Sequence, residues 1–178
     1  MRKKIIVIGS PGGGKSYVSI KMSKIIEVPV YHMDKIYWHE DKTHISREEL
    51  MEKINIIMNK EEWIIDGNYI STIEQRINYA ETIVYLDFTT EQCVEGVKSR
   101  MGVKREDMPW VEETLDEEFL NFVIKFRDET KPRIEKLLEK YKGKNVIRFT
   151  TREEIQSFLD GIQKNDIRIA SRTELHQV

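Results

Sequence analysis

Near its start the chain carries the octapeptide Gly9-Ser10-Pro11-Gly12-Gly13-Gly14-Lys15-Ser16, directly after the apolar run Ile5-Ile6-Val7-Ile8. A short run of β-branched residues that ends at a glycine is typical of a buried parallel strand. The octapeptide fits the phosphate-binding pattern of glycine, four residues, and then Gly-Lys-Ser or Gly-Lys-Thr, which lies between a strand and a helix. The sequence therefore predicts a P-loop, and with it a nucleotide-binding site.

The residue types of this loop suit the binding of phosphate. Glycines adopt positive φ and allow backbone N–H groups to converge on phosphate oxygens. Apolar residues at helical spacing predict a helix from Tyr17 to Glu27, whose N-terminal end attracts the same anion. We expect residues 9–17 to hold ATP, with Lys15 on its terminal phosphates and the Ser16 hydroxyl on the bridging Mg²⁺.

Composition limits the possible classes of protein. The 178 residues are 39% hydrophobic and 34% charged, with a formal net charge of −2 and one cysteine, Cys93, which indicates a folded, cytoplasmic protein without disulfides. The N-terminal apolar run is too short for a signal peptide or a membrane span. Basic and acidic residues are interleaved, which disfavours nucleic-acid binding. We expect a single domain over residues 1–162 and a polar tail over 163–178.

Strand and helix patterns alternate along the rest of the chain. Apolar runs predict strands that end near His32, Asp66, Asp87 and Phe149, in addition to the first. Capping boxes predict helix starts at Ser46 and Thr151, and Thr90 is expected to cap a helix that ends at about Met101. Such alternation is typical of an α/β fold with a parallel sheet, helices on both faces and a ligand site at the carboxyl ends of the strands.

Two carboxylates at strand ends are candidates for the magnesium site. Asp66 and Asp87 each follow a buried strand, and one such carboxylate usually contacts the metal of a P-loop. We favour Asp66, because Gly67 beside it permits close approach of the backbone to a ligand. A structural role in a turn is the alternative for each of them.

The segment Asp66-Gly67-Asn68-Tyr69 resembles the Asp-Gly-x-Pro-Arg segment of adenylate kinases. Together with the P-loop, the stretch from Val30 to Trp38, the stretch from Asn121 to Arg133 and the last strand, it is similar to a related group, the DNA topology modulation (FlaR-like) proteins. This resemblance covers roughly residues 3 to 162. It implies the nucleoside-monophosphate-kinase fold, with strand order 2-3-1-4-5 and a mobile helical lid at about residues 102–130.

The resemblance also suggests which cations contact the phosphates. Arginines on a closing lid stabilise the moving phosphoryl group and exclude water. The candidates here are Arg100, Arg105, Arg127 and Arg133, of which Arg100 and Arg127 rank highest, and surface ion pairs are the alternative for each. The chain also departs from adenylate kinases, with Gly96 and Phe122 at positions where that family has arginines and Met108 where it has an acid.

The acceptor side is less specific in the sequence. Asp34 follows the second strand, where a carboxylate could orient an acceptor hydroxyl or a magnesium-bound water, or cap a helix or turn. Tyr37 and Trp38 could stack on a flat acceptor or belong to the core. We expect a Mg²⁺- and ATP-dependent phosphotransferase acting on a small molecule, and the alternatives are an ATP hydrolase and a nucleotide-dependent regulatory or DNA-associated protein.

Overall fold

The computed structural model of the protein describes residues 3–162 and contains a five-stranded parallel sheet with the order β2-β3-β1-β4-β5. Its strands are β1 (Lys4–Gly9), β2 (Val30–His32), β3 (Trp63–Asp66), β4 (Thr82–Leu86) and β5 (Asn145–Phe149). The predicted order 2-3-1-4-5 is therefore confirmed. The first strand, β1, pairs with β3 on one side and with β4 on the other, so its carboxyl end lies at the middle of the sheet edge.

Helices cover both faces of this sheet. They are α1 (Lys15–Ile26), α2 (Met33–Tyr37), α3 (Arg47–Met58), α4 (Ile70–Tyr79), α5 (Thr90–Lys98), α6 (Glu117–Glu129), α7 (Lys131–Lys140) and α8 (Arg152–Gly161). Successive side chains of a strand point to opposite faces. Ile6 and Ile8 accordingly pack in a core with α3, α4 and α7, whereas Ile5 and Val7 pack in a second core with α1 and α8.

Side-chain caps fix where several helices begin. Ser46 and Thr151 accept hydrogen bonds from the backbone amides three residues later, as the capping boxes predicted. The expected cap at Thr90 was wrong, because Thr89 forms the capping box with Gln92. This helix, α5, ends at Lys98, before the predicted end at Met101. Each such cap stabilises its helix by about 1 kcal/mol.

Residues 99–116, between α5 and α6, contain neither helix nor strand. The helical pattern that follows is divided at Thr130 into α6 and α7, and Pro132 lies in the first turn of α7, where its missing N–H costs nothing. Among residues 3–162, no helix has the length and apolar character needed to cross a membrane. The predicted tail, residues 163–178, lies outside the described residues.

Candidate functional site

The glycines of the loop after β1 are required for close packing and for positive φ. Gly9 has φ 129°, and a Cβ atom there would overlap the backbone of Leu86 at the end of β4. Gly12 has φ 76°, and its Cβ would overlap the carbonyl of Cys93 in α5. Gly14, with φ 89°, is exposed, and no neighbouring atom of the described residues lies within 4 Å of its Cβ position. The loop is thus fixed at its base and open at its tip.

The open tip leads into the N-terminus of α1. Gly14 is the N-cap of α1 and has no side chain to accept a hydrogen bond, whereas Ser46, Thr89, Asp116 and Thr151 cap their own helices. The first-turn amides of a helix need an acceptor. An anion at the tip of the loop would supply it, so the backbone here fits a phosphate group.

Lys15 and Ser16 extend the site with side chains. Lys15 Nζ donates to the carbonyls of Gly9 and Ser10, at 3.2 and 3.1 Å, and so lies folded over the loop. Burial lowers the pKa of Lys15, although the nearby charge of Asp34 acts in the opposite direction. The Ser16 hydroxyl donates to Asp107 Oδ2 at 2.7 Å. Lys15 and Ser16, which were predicted to contact ATP and Mg²⁺, therefore lie where the P-loop enters α1.

Asn68 clamps the beginning of the loop. Its Oδ1 accepts from the amide of Gly9 at 3.0 Å, and its Nδ2 donates to the carbonyl of Gly9 at 2.8 Å. This double hydrogen bond joins the turn after β3 to the P-loop. Asn68 therefore has a structural role, which sequence reasoning missed.

Arg76 binds the same turn through its guanidinium group. This arginine is fully buried and donates to the carbonyls of Gly67 and Asn68, and to the hydroxyl of Thr72. Burial lowers the pKa of Arg76 to about 10. Sequence reasoning missed this role too, although a charged residue beside Ile73 and Ile77 on the apolar face of α4 was a usable signal.

Asp34 faces the P-loop from the opposite side. It lies in α2, where its Oδ1 accepts a hydrogen bond from the Tyr69 hydroxyl at 2.8 Å. Burial raises the pKa of Asp34, and the Tyr69 hydrogen bond and the charge of Lys15 limit that rise. A half-buried carboxylate with one oxygen held in this way is suited to orient or deprotonate a hydroxyl group.

Asp66 and Asp87 are both occupied by partners within the protein. His32 Nδ1 lies 2.8 Å from Asp66 Oδ2, and although burial disfavours the imidazolium, the hydrogen bond and charge of Asp66 raise the pKa of His32. Asp87 accepts from Lys131 at 2.6 Å and from Arg148 at 3.2 Å. The fold itself requires a glycine at position 67, because its φ is 115° and a Cβ atom there would lie 2.7 Å from the Cβ of Met33.

The segment 99–116 brings two of the predicted arginines to the site. Arg100 and Arg105 both pair with Glu112, at 3.1 and 3.3 Å, and Arg105 Nε also lies 3.6 Å from Asp107. Burial and the charge of Arg105 lower the pKa of Arg100. These residues line the cavity that also contains Lys15, Ser16 and Asp34.

The other two predicted arginines are not among the described residues that line this cavity. Arg127 donates to the carbonyl of Phe88 at 3.1 Å, beside the Ser10 hydroxyl that contacts the same carbonyl at 3.5 Å. Arg133 is exposed in the first turn of α7. A contact of either side chain with phosphate stays a prediction.

Aromatic rings form the wall of the cavity beyond Asp34. Tyr37 contacts Tyr69 with ring centroids 5.2 Å apart, and Trp38 contacts Trp110 at 5.8 Å. All four rings line the cavity, whose volume is about 1330 Å³. Trp110 comes from the segment 99–116, so this segment closes over both the P-loop and the aromatic wall.

Packing explains why position 96 is a glycine where adenylate kinases have an arginine. A Cβ atom at Gly96 would overlap the carbonyl of Gly12, so no side chain can occupy this position while α5 packs on the P-loop. The same Cβ would lie 3.3 Å from a guanidinium nitrogen of Arg152, the first residue of α8. An arginine therefore lies beside the P-loop here too, but it comes from α8.

Comparison with known proteins supports the fold. No protein-family model matches the chain, and no curated protein sequence matches it significantly. Among solved structures, a shikimate kinase from Bacteroides thetaiotaomicron has a TM-score of 0.57 at 15% identity over 89% of this chain and 94% of its own. A gluconokinase from Sinorhizobium meliloti has a TM-score of 0.53 at 12% identity over 89% and 88%. The chain therefore has the P-loop fold of the nucleoside-monophosphate-kinase type.

Proposed function

We propose that this protein transfers the γ-phosphoryl group of ATP to a hydroxyl group of a small molecule. The observation that carries the proposal is the position of Asp34, a half-buried carboxylate held by Tyr69, in the same cavity as Lys15 and the P-loop. A P-loop binds the donor, and a carboxylate that lines the same cavity can orient or deprotonate an acceptor hydroxyl. The solved kinases of the same fold also support phosphoryl transfer in general.

Each residue has a defined task in this proposal. The amides at the start of α1 and the ammonium of Lys15 bind the β- and γ-phosphates and stabilise the charge of the transition state. Asp34 accepts the proton of the attacking hydroxyl. Arg100 and Arg105 approach the γ-phosphate from the segment that covers the cavity. Mg²⁺, which the Ser16 hydroxyl would help to hold, would neutralise part of the phosphate charge when bound.

The covering segment excludes water from the transfer. This segment, residues 99–116, overlaps the lid that we propose over residues 102–130, within a single domain of residues 1–162. Transfer to an alcohol instead of water requires such a cover. Arg127 and Arg133 lie on α6 and α7 and would reach the phosphates only if these helices moved.

The acceptor that suits this cavity is an uncharged ring compound with a free hydroxyl. Trp38 and Trp110 offer ring surface on which a sugar or base packs. A phosphorylated acceptor would need cations beyond those assigned to ATP. Arg76 is bound to backbone carbonyls and Arg100 and Arg105 are assigned to the γ-phosphate, so Lys42 and Lys104 are the remaining cations among the described residues that line the cavity. Nucleosides and sugars are therefore the first candidates, and nucleoside monophosphates, whose phosphate Lys42 or Lys104 could bind, are the comparison.

A coupled ADP-release screen tests the proposal. ATP and Mg²⁺ would be supplied with nucleosides, sugars, small alcohols and nucleoside monophosphates in separate reactions, with the Asp34→Asn variant as a control. We expect one uncharged alcohol to accelerate ADP release in the wild type and not in the variant. Equal ADP release in every reaction would instead support an ATP hydrolase. Retention of DNA at moderate salt, dependent on ATP, would support a DNA-associated protein.

A further inference from the structure

Asp107 reaches the P-loop from the segment that covers the cavity. Its Oδ2 accepts a hydrogen bond from the Ser16 hydroxyl at 2.7 Å, and its side chain is 9% exposed. In P-loop proteins the hydroxyl at this position binds the Mg²⁺ of the nucleotide. A buried carboxylate therefore lies directly beside the oxygen that the metal would use.

The competing carboxylates have hydrogen-bond partners other than Ser16. Asp66 contacts His32, and Asp87 contacts Lys131 and Arg148. Asp34 accepts from Tyr69 on the acceptor side. Asp107 is distinguished among these four because its Oδ2 contacts the metal-binding hydroxyl of the P-loop.

The geometry of this contact suits a shared metal. Mg²⁺ binds oxygen at 2.0–2.1 Å in an octahedron, so two adjacent ligand oxygens lie about 3 Å apart. The distance of 2.7 Å between Ser16 Oγ and Asp107 Oδ2 is close to that spacing. Arg105 lies 3.6 Å from the other oxygen, Oδ1, so it helps to orient the carboxylate.

A magnesium ion at this position would be held jointly by the protein and the nucleotide. Within residues 3–162, no group of three or more His, Cys, Asp or Glu side chains is arranged to bind a metal ion. Mg²⁺ is usually bound by one or two protein ligands together with substrate phosphates and water. Ser16 and Asp107 match this pattern, in which the nucleotide brings the metal.

We propose that Asp107, and not Asp66 or Asp87, is the carboxylate that contacts the nucleotide-bound Mg²⁺, directly or through one water molecule. This inference rests on the proposed function only in assuming that the P-loop binds a magnesium nucleotide. It gives the covering segment a defined role, because binding of the metal nucleotide then fixes residues 99–116 over the cavity.

Calorimetric titration with ADP, with and without Mg²⁺, tests the inference in the absence of turnover. The variants are Asp107→Asn, Asp66→Asn and, as a matched control on the same segment, Glu106→Gln. We expect Asp107→Asn to reduce the Mg²⁺-dependent gain in ADP affinity by about tenfold, as is typical when a residue that supports a metal is removed. Metal-free ADP affinity should not decrease, and the other two variants should keep the gain.

A second readout uses Mn²⁺ in place of Mg²⁺. If Asp107 contacts the metal directly, water-proton relaxation of the Mn²⁺–ADP complex should indicate more exchanging water at the metal in Asp107→Asn than in the wild type. Equal hydration together with a reduced metal-dependent gain would indicate the contact through water. The inference is overturned if Asp107→Asn keeps the full metal-dependent gain, or if its affinity for Mg²⁺–ADP increases. The latter result would mean that Asp107 blocks the metal site. Failure of phosphoryl transfer would leave these binding results unchanged, so the two proposals are tested separately.

Discussion

The donor half and the acceptor half of the cavity are built in different ways. The donor half consists of residues 9–16 at the start of α1, and it presents backbone amides and the side chains of Lys15 and Ser16 from a continuous stretch of chain. The acceptor half combines Asp34 from α2, Tyr69 from the turn after β3 and Trp110 from the segment before α6. A site made from local backbone requires a particular motif, whereas a site made from distant side chains requires only that the fold bring them together.

The largest expected effect comes from removing the charge of the donor half. We expect Lys15→Ala to lower turnover by at least about a hundredfold, because a preorganised donor at the developing charge is lost. The melting temperature should stay within a few degrees of the wild type. Lys21→Ala, an exposed lysine on the same helix, is the matched control and should retain activity. Unchanged phosphoryl transfer in Lys15→Ala would contradict the assignment of the donor half.

The acceptor half should respond through the pKa of Asp34. We expect Asp34→Asn to lower kcat by about 10² to 10⁴ while binding of Mg²⁺–ATP persists, because a general base is lost. Burial raises the pKa of Asp34 above that of an ordinary aspartate, so wild-type activity should fall as pH decreases through this raised pKa.

Tyr69→Phe sharpens this test. The Tyr69 hydroxyl stabilises the ionised form of Asp34. Its removal should therefore raise the pKa of Asp34 further and shift the acidic limb of the pH–rate profile to higher pH. The limb should be absent in Asp34→Asn. An acidic limb with the same midpoint in wild type and Tyr69→Phe would show that the ionisation of Asp34 does not control the rate.

The packing of α5 on the donor half predicts a change in stability opposite to the one that helix propensity predicts. Replacing a glycine within a helix by alanine normally stabilises it by about 1 kcal/mol. We expect Gly96→Ala to destabilise the protein by about 1–3 kcal/mol, because the new Cβ overlaps the carbonyl of Gly12. Chemical denaturation measures this effect. Gly143→Ala, where no such overlap exists, is the control, and a more stable Gly96→Ala protein would contradict the packing.

The smallest expected effect concerns the link between the two halves. We expect Asn68→Ala to lower the free energy of unfolding by about 1–2 kcal/mol, because two hydrogen bonds to Gly9 are lost. ADP affinity should decrease as well, since the start of the P-loop is no longer clamped. Asn78→Ala, an exposed residue of α4, should change neither quantity. An effect on stability without any effect on ADP affinity would show that the clamp does not position the loop.

The sequence predicted the fold well, including the strand, loop and helix that form the donor half. Apolar runs located the five strands, and the resemblance to nucleoside-monophosphate kinases implied their order, which spacing alone does not determine. The P-loop motif also placed Lys15 and Ser16. These features are readable because strand periodicity and glycine-rich loops depend on neighbouring residues.

The acceptor half and the covering segment could not be predicted to the same degree. The contact between Ser16 and Asp107 spans 91 residues, and the pairing of Asp66 with His32 spans 34. No local pattern distinguishes a strand-end aspartate that is paired within the protein from one that is free for a metal. The ends of α5 were misplaced for a smaller reason, since Thr89 and Thr90 are both acceptable caps and only Thr89 has Gln92 at the required spacing.

The central claim is that both halves act on one phosphoryl group. The most direct measurement follows ATP radiolabelled in its γ-phosphate, incubated with Mg²⁺ and each uncharged acceptor, with the products separated by chromatography. The account predicts that label appears on one of the acceptors, and that this product is lost in both Lys15→Ala and Asp34→Asn. Label found only as inorganic phosphate, at the same rate with every acceptor and in Asp34→Asn, would contradict it.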